Sequence, residues 1–310
     1  MGLRIRTNTQ SLNAQRHMGI TNARLTSTME KLSSGHRINK AADDAAGLAI
    51  ATSLESDVRS LGQARRNSQD AVSMLQVAEG SLEEITNIVT RLKEVSVQAA
   101  SDTVGQKERG YLNQEFMALK DEVDRIALNT DYNGTRLLIG SQAVSPELLK
   151  NHNPSPLEMQ IGKDYLVPSD SLDARNPVNI IRIDFSQMSA ATEGPNSLNI
   201  GNSANEAGTR IDNKADAQIS MARIDSALER ISSYRATIGA AQNRLISTER
   251  NLGVSIENMS AARSRIIDAD YAHETADYTQ DNILMQAGAS VLTQANQQPN
   301  VALKLLQGLQ

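Results

Sequence analysis

The chain has 310 residues and a formal net charge of -5, with no Cys, no Trp, two Phe and six Tyr. The absence of cysteine excludes a disulfide framework, a thiolate nucleophile and a Cys-ligated metal site. Because aromatic side chains usually fill compact cores, their scarcity favours long helices that pack through small and aliphatic side chains. The modest charge gives no case for nucleic-acid binding, and no apolar run of 18 residues predicts a membrane span.

The charge is unevenly distributed between the two ends of the chain. Residues 1–40 carry seven basic side chains and one acidic one, whereas residues 268–310 carry five acidic side chains and one basic one. Opposite charges predict that the ends pair with each other or with neighbouring copies, and two separately solvated tails are the alternative. No apolar segment of a secretory signal follows the first residue, so no cleavable signal peptide is expected.

A first helix is predicted over residues 8–33. Its apolar residues Met18, Leu25 and Leu32 recur every seven positions, and the candidate N-caps are Asn8, Thr9 and Ser11. The helix is expected to stop near Gly35. Next, Asp43 and Asp44 suit the electropositive start of a second helix, and a structural role is favoured over acid/base chemistry because adjacent carboxylates diverge on a helix.

The second helix is predicted over residues 45–100, with an apolar row at intervals of seven. The phase of this row continues across Gly80, so no break is expected there. After a turn at residues 101–105, a third helix is predicted. Its expected apolar face is formed by Leu112, Phe116, Leu119, Val123 and Ile126.

A tight turn is predicted at Asn133-Gly134, because this dipeptide favours type I′ turns. The surrounding residues half-match a calcium-binding loop. However, Asn129 replaces the first Asp and Gly140 stands where the bidentate Glu belongs, so no calcium site is predicted. Residues 140–210 hold six of the seven prolines. Within them, residues 157–161 and 181–185 alternate apolar and polar, which predicts a small antiparallel β element with long loops.

A long helix is predicted to resume near residue 212. Every seventh residue from Ile224 to Ile266 is Ile, Leu or Met, so one apolar row follows one side of the helix. The second helix has the same period and comparable length, and is therefore its predicted partner. The residues predicted to pack this heptad core are Leu61, Leu75, Leu82, Ile231, Ile238, Leu245, Leu252 and Met259.

The tail over residues 268–310 is predicted to be a further helix, with Leu284 and Val291 on its apolar face. Pro299 is expected to kink it or end it. The hydrophobic end, which includes Leu305 and Leu306, is predicted to be buried in an assembly because exposed apolar patches invite association.

Three stretches resemble bacterial flagellins. They are Leu32-Ser33-Ser34-Gly35-His36-Arg37-Ile38-Asn39-Lys40-Ala41-Ala42-Asp43-Asp44-Ala45-Ala46-Gly47-Leu48-Ala49-Ile50, the run over residues 235–245, and the run over residues 257–266. The resemblance covers about residues 3–140 and 210–306. It implies a mostly α rod of long antiparallel helices with a small β element. The implied segments are an inner helical domain (1–44 and 268–310), a core helical domain (45–140 and 211–267) and an insert (141–210).

The resemblance implies a structural subunit that polymerises into a hollow filament used for swimming, exported outside the cell without a cleavable signal peptide. Its implied partners are copies of itself, a flagellar secretion chaperone, the filament cap and hook-associated proteins, with no cofactor, nucleic acid or membrane insertion. A hook–filament junction protein of the same helical family is the alternative. The residues expected to polymerise in the inner layer are Leu25, Leu32, Leu284, Val291, Leu305 and Leu306.

Flagellins also bind a toll-like innate immune receptor, and Arg91, Glu94 and Glu115 match the family's contact residues. Thr90 and Val95 depart from the family pattern. Catalysis is not expected. The nearest match to the zinc motif H-E-x-x-H is the run at residues 273–277, which ends in Asp instead of His.

Overall fold

The computed structural model describes residues 7–140, 156–164, 179–186, 188–193, 197–201 and 208–307, the last ten of them by backbone alone. The described elements are α1 (Thr9–Ser34), α2 (Ala45–Ala100), α3 (Gln106–Asn129), β1 (Asp131–Tyr132), β2 (Thr135–Arg136), β3 (Leu157–Gln160), β4 (Ile180–Ile183), α4 (Lys214–Ile267) and α5 (Tyr271–Gln307). The predicted class, long helices with a small antiparallel β element, is confirmed. The chain divides into two compact units, unit 1 (Met1–Val58 and Glu257–Gln310) and unit 2 (Arg59–Ile256).

The helix boundaries follow local signals in the sequence. Asn8 caps α1 by accepting the backbone N–H of Ser11 on its side-chain oxygen at 3.1 Å. The same helix ends at Gly35, whose φ of 74° lies in the left-handed region that glycine adopts without strain. Helix α2 runs through Gly80 without interruption, as its heptad phase predicted.

The two aspartates before α2 have different roles. Asp44 Oδ1 accepts the backbone N–H of Gly47 at 2.9 Å and so caps the helix. Asp43 Oδ2 instead accepts the N–H groups of Lys40 and Asn39, each at 3.0 Å, and these bonds lower the pKa of Asp43. Only one of the pair therefore stabilises the helix start.

In unit 2, α2 and α4 run in opposite directions beside each other. Gln69 Nε2 donates to Glu249 Oε1 at 2.7 Å, and Lys93 Nζ forms an ion pair with Asp225 at 2.5 Å. The hydrophobic core of this unit combines side chains from α2, α3, α4 and the β strands. The predicted partnership of the two long heptad helices is confirmed.

The β element matches its prediction in position and in antiparallel pairing. Asn133 and Gly134, with φ of 50° and 79°, form the turn between β1 and β2. Strands β3 and β4 are antiparallel, with Leu157 opposite Ile183. On β4, Ile183 is buried while the neighbouring Arg182 pairs with Glu158 at 3.0 Å on the other face.

Of the two effects predicted for Pro299 in α5, a kink or an end of the helix, the end is wrong. The helix does not end at Pro299 but continues to Gln307. Proline removes the backbone donor that the carbonyl of Ala295 would otherwise bind. The side-chain amide of Asn8 donates to that carbonyl at 2.8 Å and replaces the lost bond.

Candidate assembly surface

Helices α1 and α5 of unit 1 pack side by side in opposite directions. Near the end of α1, Lys31 Nζ forms an ion pair with Glu274 Oε1 at 3.2 Å. Near its start, Ser11 Oγ donates to Asn296 Oδ1 at 2.8 Å. The contact therefore extends over most of α1, and the prediction that the oppositely charged ends pair is confirmed.

Four of the five buried residues in the described part of these two helices are polar. On α1 the buried residues are Ser11 and Thr28. On the part of α5 whose side chains are described, they are Glu274, Asp281 and Ala295. Tertiary packing of apolar stripes normally supplies most of the stability of a helix in a protein. The α1–α5 pair has no such stripe buried within its described residues.

Several large apolar side chains of the pair face solvent instead. Six of them, each between 46% and 60% exposed, are Leu12, Ile20, Met29, Ile283, Leu284 and Val291. An open groove of about 870 Å³ lies between the helices, with Met18, Ile20, Leu284 and Val291 in its wall. Contiguous exposed apolar surface of this kind marks an interaction site. We call the outward faces of α1 and α5, including this groove, the assembly surface.

The structure places the predicted inner-layer residues in different environments. Leu25 and Leu32 are half-buried on α1. Leu284 and Val291 are exposed on α5. The side chains of the two leucines at residues 305–306 lie outside the described part of the chain. Two of the six predicted residues therefore face outward as an intersubunit contact requires.

The residues predicted to form the heptad core are mostly buried. Those at most 8% exposed are Leu61, Leu75, Leu82, Ile231, Ile238, Leu245 and Leu252. Met259 is half-buried and belongs to unit 1. The contribution of these side chains to stability stays a prediction.

The three residues expected to contact an immune receptor form one cluster on α2 and α3. Arg91 Nη1 donates to Glu94 Oε2 at 2.9 Å, and its Nη2 donates to Glu115 Oε1 at 2.8 Å. The two carboxylates raise the pKa of Arg91. Of the two departures from the family pattern, Val95 is fully buried, so only Thr90 changes the exposed surface.

A buried lysine in α3 escaped the sequence prediction. The buried residues of this helix are Phe116, Lys120, Val123 and Ala127. Phe116 and Val123 belong to the predicted face, whereas Lys120 and Ala127 each follow a residue of that face by one position. Lys120 Nζ donates to the carbonyl oxygens of Gly201 and Thr209, the latter at 3.0 Å. Its burial lowers the pKa of the amine to about 8. The spacing of Phe116, Val123 and Ala127 contained the signal, but a lysine in their row argued against it.

Metal-ligand clusters and membrane-spanning helices are both absent from the described residues. Nowhere among them do three His, Cys, Asp or Glu side chains converge as metal ligands. Nor does any helix in the described ranges have the length and hydropathy needed to cross a membrane.

Two family descriptions match this chain. The bacterial flagellin N-terminal helical region matches residues 5–143, and the bacterial flagellin C-terminal helical region matches residues 221–306. These ranges include α1, α2 and α3 on one side and most of α4 and α5 on the other. Both helices of the assembly surface lie inside them.

Whole-length relatives agree with the family match. A flagellin of Bacillus subtilis is 40% identical over 98% of this chain and 100% of that protein. The flagellar filament 33 kDa core protein of Treponema phagedenis is 38% identical over 96% of this chain and 98% of that protein. The crystal structure of Bacillus cereus flagellin is 27% identical and covers 64% of this chain and 94% of that one, with a TM-score of 0.45. The two matched regions and the full-length relatives establish that the chain belongs to the bacterial flagellin family.

Proposed function

We propose that the chain is the structural subunit of a bacterial flagellar filament, which its copies build by polymerisation. The observation that carries the proposal is the assembly surface on α1 and α5. These helices bury polar side chains between them and leave six large apolar side chains exposed. A helix pair of this composition gains stability when copies of the chain cover its outer faces.

Burial of that surface supplies the driving force for assembly. Transfer of apolar area out of water contributes about 25 cal/mol per Å². Leu284 and Val291 stand on one side of the groove and Met18 and Ile20 on the other. Apolar side chains of a neighbouring copy fit this groove by their chemistry. Because each subunit repeats the contact, the sum grows with filament length.

The predicted inner-layer residues take specific parts in this proposal. Leu284 and Val291 contact a neighbouring copy directly. Leu25 and Leu32 support the α1 side of the same layer. The leucines at residues 305–306 extend the apolar surface toward the end of α5, which is an expectation from the sequence alone.

Two matched valine substitutions test the proposal. Val291 on α5 and Val254 on α4 are 58% and 59% exposed, so each tolerates a charge equally well in the free subunit. Val291→Asp is expected to raise the critical concentration for growth on short filament seeds by about tenfold or more. Val254→Asp, which lies outside the assembly surface, is the control and should leave growth close to that of the unmodified protein.

Light scattering and electron microscopy of full-length protein supply the readout. If Val291→Asp subunits grow filaments at the unmodified critical concentration, the outer face of α5 is not an intersubunit contact. If the unmodified protein forms no filament on seeds at any concentration, the proposed function itself fails. The relatives described above are flagellins and filament core proteins, and nothing favours the hook–filament junction alternative.

The finer parts of the proposal follow from family membership. We propose export outside the cell by the flagellar secretion apparatus without a cleavable signal peptide, helped by a secretion chaperone. We also propose contacts with the filament cap and with hook-associated proteins. A structural role without catalysis accompanies them. Co-purification with the chaperone of the same bacterium tests the first of these contacts.

Recognition by the toll-like receptor is proposed through the cluster of Arg91, Glu94 and Glu115. The ion pairs between these residues fix the guanidinium on the surface of α2 and α3. In a receptor reporter assay, Arg91→Ala is expected to lower the response, while Arg66→Ala, which removes an arginine elsewhere on α2, should not. Equal responses to both variants would remove Arg91 from the contact.

A further inference from the structure

A polar cavity of about 280 Å³ lies between α1 and α5 and opens to solvent. Its lining comprises Arg24, Ser27, Thr28, Lys31, Asp277, Gln280 and Asp281. We call it the Asp281 cavity. All of its residues belong to unit 1. It contains two basic and two acidic side chains, so its formal charges cancel. Among the described residues, these four side chains are nevertheless not all paired with a group of opposite charge.

The charged groups of this region are unequally paired. Lys31 Nζ forms an ion pair with Glu274. Asp277 Oδ2 lies 3.8 Å from His273 Nε2 on the same helix. Asp281 is only 8% exposed, yet it has no hydrogen bond or ion pair with any residue in the described ranges. Asp281 faces a cavity that opens to solvent, so its carboxylate keeps contact with water, but no cation in the described part of the chain lies beside it as an ion-pair partner.

Asp281 lies on the side of α5 that packs against α1. Glu274, Asp281, Gly288 and Ala295 are spaced at intervals of seven, and they form the side of α5 that packs on α1. Two of these four contact positions thus carry a carboxylate. Polar residues at such positions usually fix the pairing of helices at a cost in stability. Glu274 obtains its cation from its own chain, whereas Asp281 does not.

The basic side chains of α1 differ in the direction they face. The side of α1 that packs on α5 includes Ser11, Met18, Leu25 and Leu32, again with intervals of seven. Lys31 and Arg24 flank this side and line the Asp281 cavity. Arg16 lies on the opposite side of α1, is exposed, and donates only to Asn13 of the same helix at 3.0 Å. Arg16 therefore points away from the α5 helix of its own chain.

We infer that the Asp281 cavity is a docking site for a basic side chain of a second copy of the chain, and that Arg16 of that copy is its occupant. The inference rests on the proposed filament function and adds the residues that pair at one of its contacts. The charges are complementary, because Arg16 is an exposed cation on the outward side of α1 and the cavity offers an unpaired carboxylate. A guanidinium also matches a carboxylate in shape and donates two parallel hydrogen bonds.

The docking gives the carboxylate of Asp281 a cation that the described ranges of its own chain do not supply. The second copy supplies the cation, so the charge is compensated only in the assembled state. A charge pair of this type contributes more to the choice and register of the partner than to raw affinity. It favours one alignment of neighbouring subunits over others that bury similar apolar area.

Charge reversal in two separate chains tests the inference. Asp281→Arg and Arg16→Glu subunits are each expected to raise the critical concentration for growth on seeds by about tenfold, because each alone creates a like-charge contact. An equimolar mixture of the two variants is expected to return to within about threefold of the unmodified protein. In the mixture, an arginine at position 281 of one chain meets a glutamate at position 16 of another.

A rival contact within one chain gives a different result. Asp281 could instead pair with Arg24 of its own chain in the filament. In that case the mixture keeps a raised critical concentration, and the double variant Asp281→Arg with Arg24→Glu restores growth. That result overturns the inference, as does an unchanged critical concentration of Asp281→Arg subunits. Failure of the unmodified protein to polymerise would instead contradict the proposed function, so the two failures are distinguishable.

A neutral substitution separates docking from a role in folding. Asp281→Asn keeps the side-chain shape and removes the charge. In free subunits it should leave the protection of α1 and α5 from amide hydrogen exchange unchanged or increase it, since an unpaired buried charge is removed. In assembly it should raise the critical concentration. Weaker protection in the free subunit together with normal assembly would show that Asp281 only stabilises its own helix pair.

Discussion

The side-chain amide of Asn8 donates a hydrogen bond of 2.8 Å to the carbonyl oxygen of Ala295, four residues before Pro299. In an α-helix this oxygen accepts the N–H group four residues later, and proline has none. At the same time, Asn8 Oδ1 accepts the N–H of Ser11 at 3.1 Å. One side chain therefore begins α1 and replaces the bond that Pro299 removes from α5.

Replacement of this side chain by aspartate separates its two roles. Asn8→Asp keeps the acceptor for Ser11 and removes the donor to Ala295. We expect the opening free energy of α5 around Ala295 to fall by about 1–2 kcal/mol, because a partly buried carbonyl loses its donor. Amide hydrogen exchange of residues 288–297 in the full-length protein measures the change.

The control restores a backbone donor at position 299. In a Pro299→Ala background the helix supplies its own N–H to the carbonyl of Ala295. Asn8→Asp should therefore lower the opening free energy of α5 by clearly less in that background. A coupling of about 1 kcal/mol between the two substitutions is expected. Equal costs of Asn8→Asp in both backgrounds would show that the amide does not compensate for the proline.

A second prediction concerns the heptad core of unit 2. Leu245 is fully buried in the cluster that joins α2, α3 and α4. Leu245→Ala is expected to lower the free energy of unfolding by about 2–5 kcal/mol, because it removes apolar contacts and leaves a cavity. Val254→Ala, at an exposed position of the same helix, should cost less than about 0.5 kcal/mol. Thermal unfolding of monomers decides this, and equal midpoints would contradict a core role for Leu245.

The long helices could be predicted from the sequence because their signals are redundant. The predicted limits of α2 match Ala45–Ala100, since an apolar row repeated over 56 residues tolerates an isolated Gly80. The strands β3 and β4 were predictable for a similar reason. Their alternation of period two contrasts with the surrounding helices.

Features that depend on distant side chains could not be predicted in this way. The carbonyl group that Pro299 leaves without a helical donor is bound by Asn8, 287 residues before Ala295. The burial of Lys120 requires carbonyl groups of the segment between β4 and α4. The burial of Asp281 requires the packing of α5 on α1. A sequence pattern describes one element at a time, and each of these features arises where two elements meet.

A third prediction concerns removal of either end of the chain. The large hydrophobic cluster, from Ala71 to Leu245, lies entirely within unit 2. Deletion of residues 1–40 or of residues 270–310 is therefore expected to leave unit 2 folded and soluble while abolishing polymerisation. Circular dichroism and electron microscopy measure the two outcomes. Filaments of normal diameter from either truncated protein would contradict the role of the assembly surface.

The last prediction concerns the pH dependence conferred by Lys120. Its side chain is fully buried over the ring of Phe116, with Nζ 5.6 Å from the ring centre. Desolvation lowers the pKa of the amine from 10.5 to about 8, while Asp124 opposes the change. The other charged groups near the amine are Glu193, Asp121 and Arg223, and they act less strongly than burial.

The sign of the effect follows from proton binding in the two states. Between pH 8 and 10.5 the unfolded chain holds the proton on this amine and the folded chain does not. The contribution of Lys120 to the free energy of unfolding therefore rises as the pH increases through this window, by on the order of 3 kcal/mol, and is lost as the pH falls through 8. A neutral amine retains two N–H donors, which match the carbonyl groups of Gly201 and Thr209.

Lys120→Met removes this titration while keeping a side chain of similar length. We expect the variant to be less stable overall, because the two carbonyl groups lose their donor. Its free energy of unfolding should nevertheless lack the rise between pH 8 and 10.5 that the unmodified protein shows. Lys107→Met, at an exposed position of the same helix, is the control and should retain that rise. Urea unfolding of monomers at several pH values measures it, and parallel pH profiles for the unmodified protein and Lys120→Met would show that the buried amine keeps its ordinary pKa.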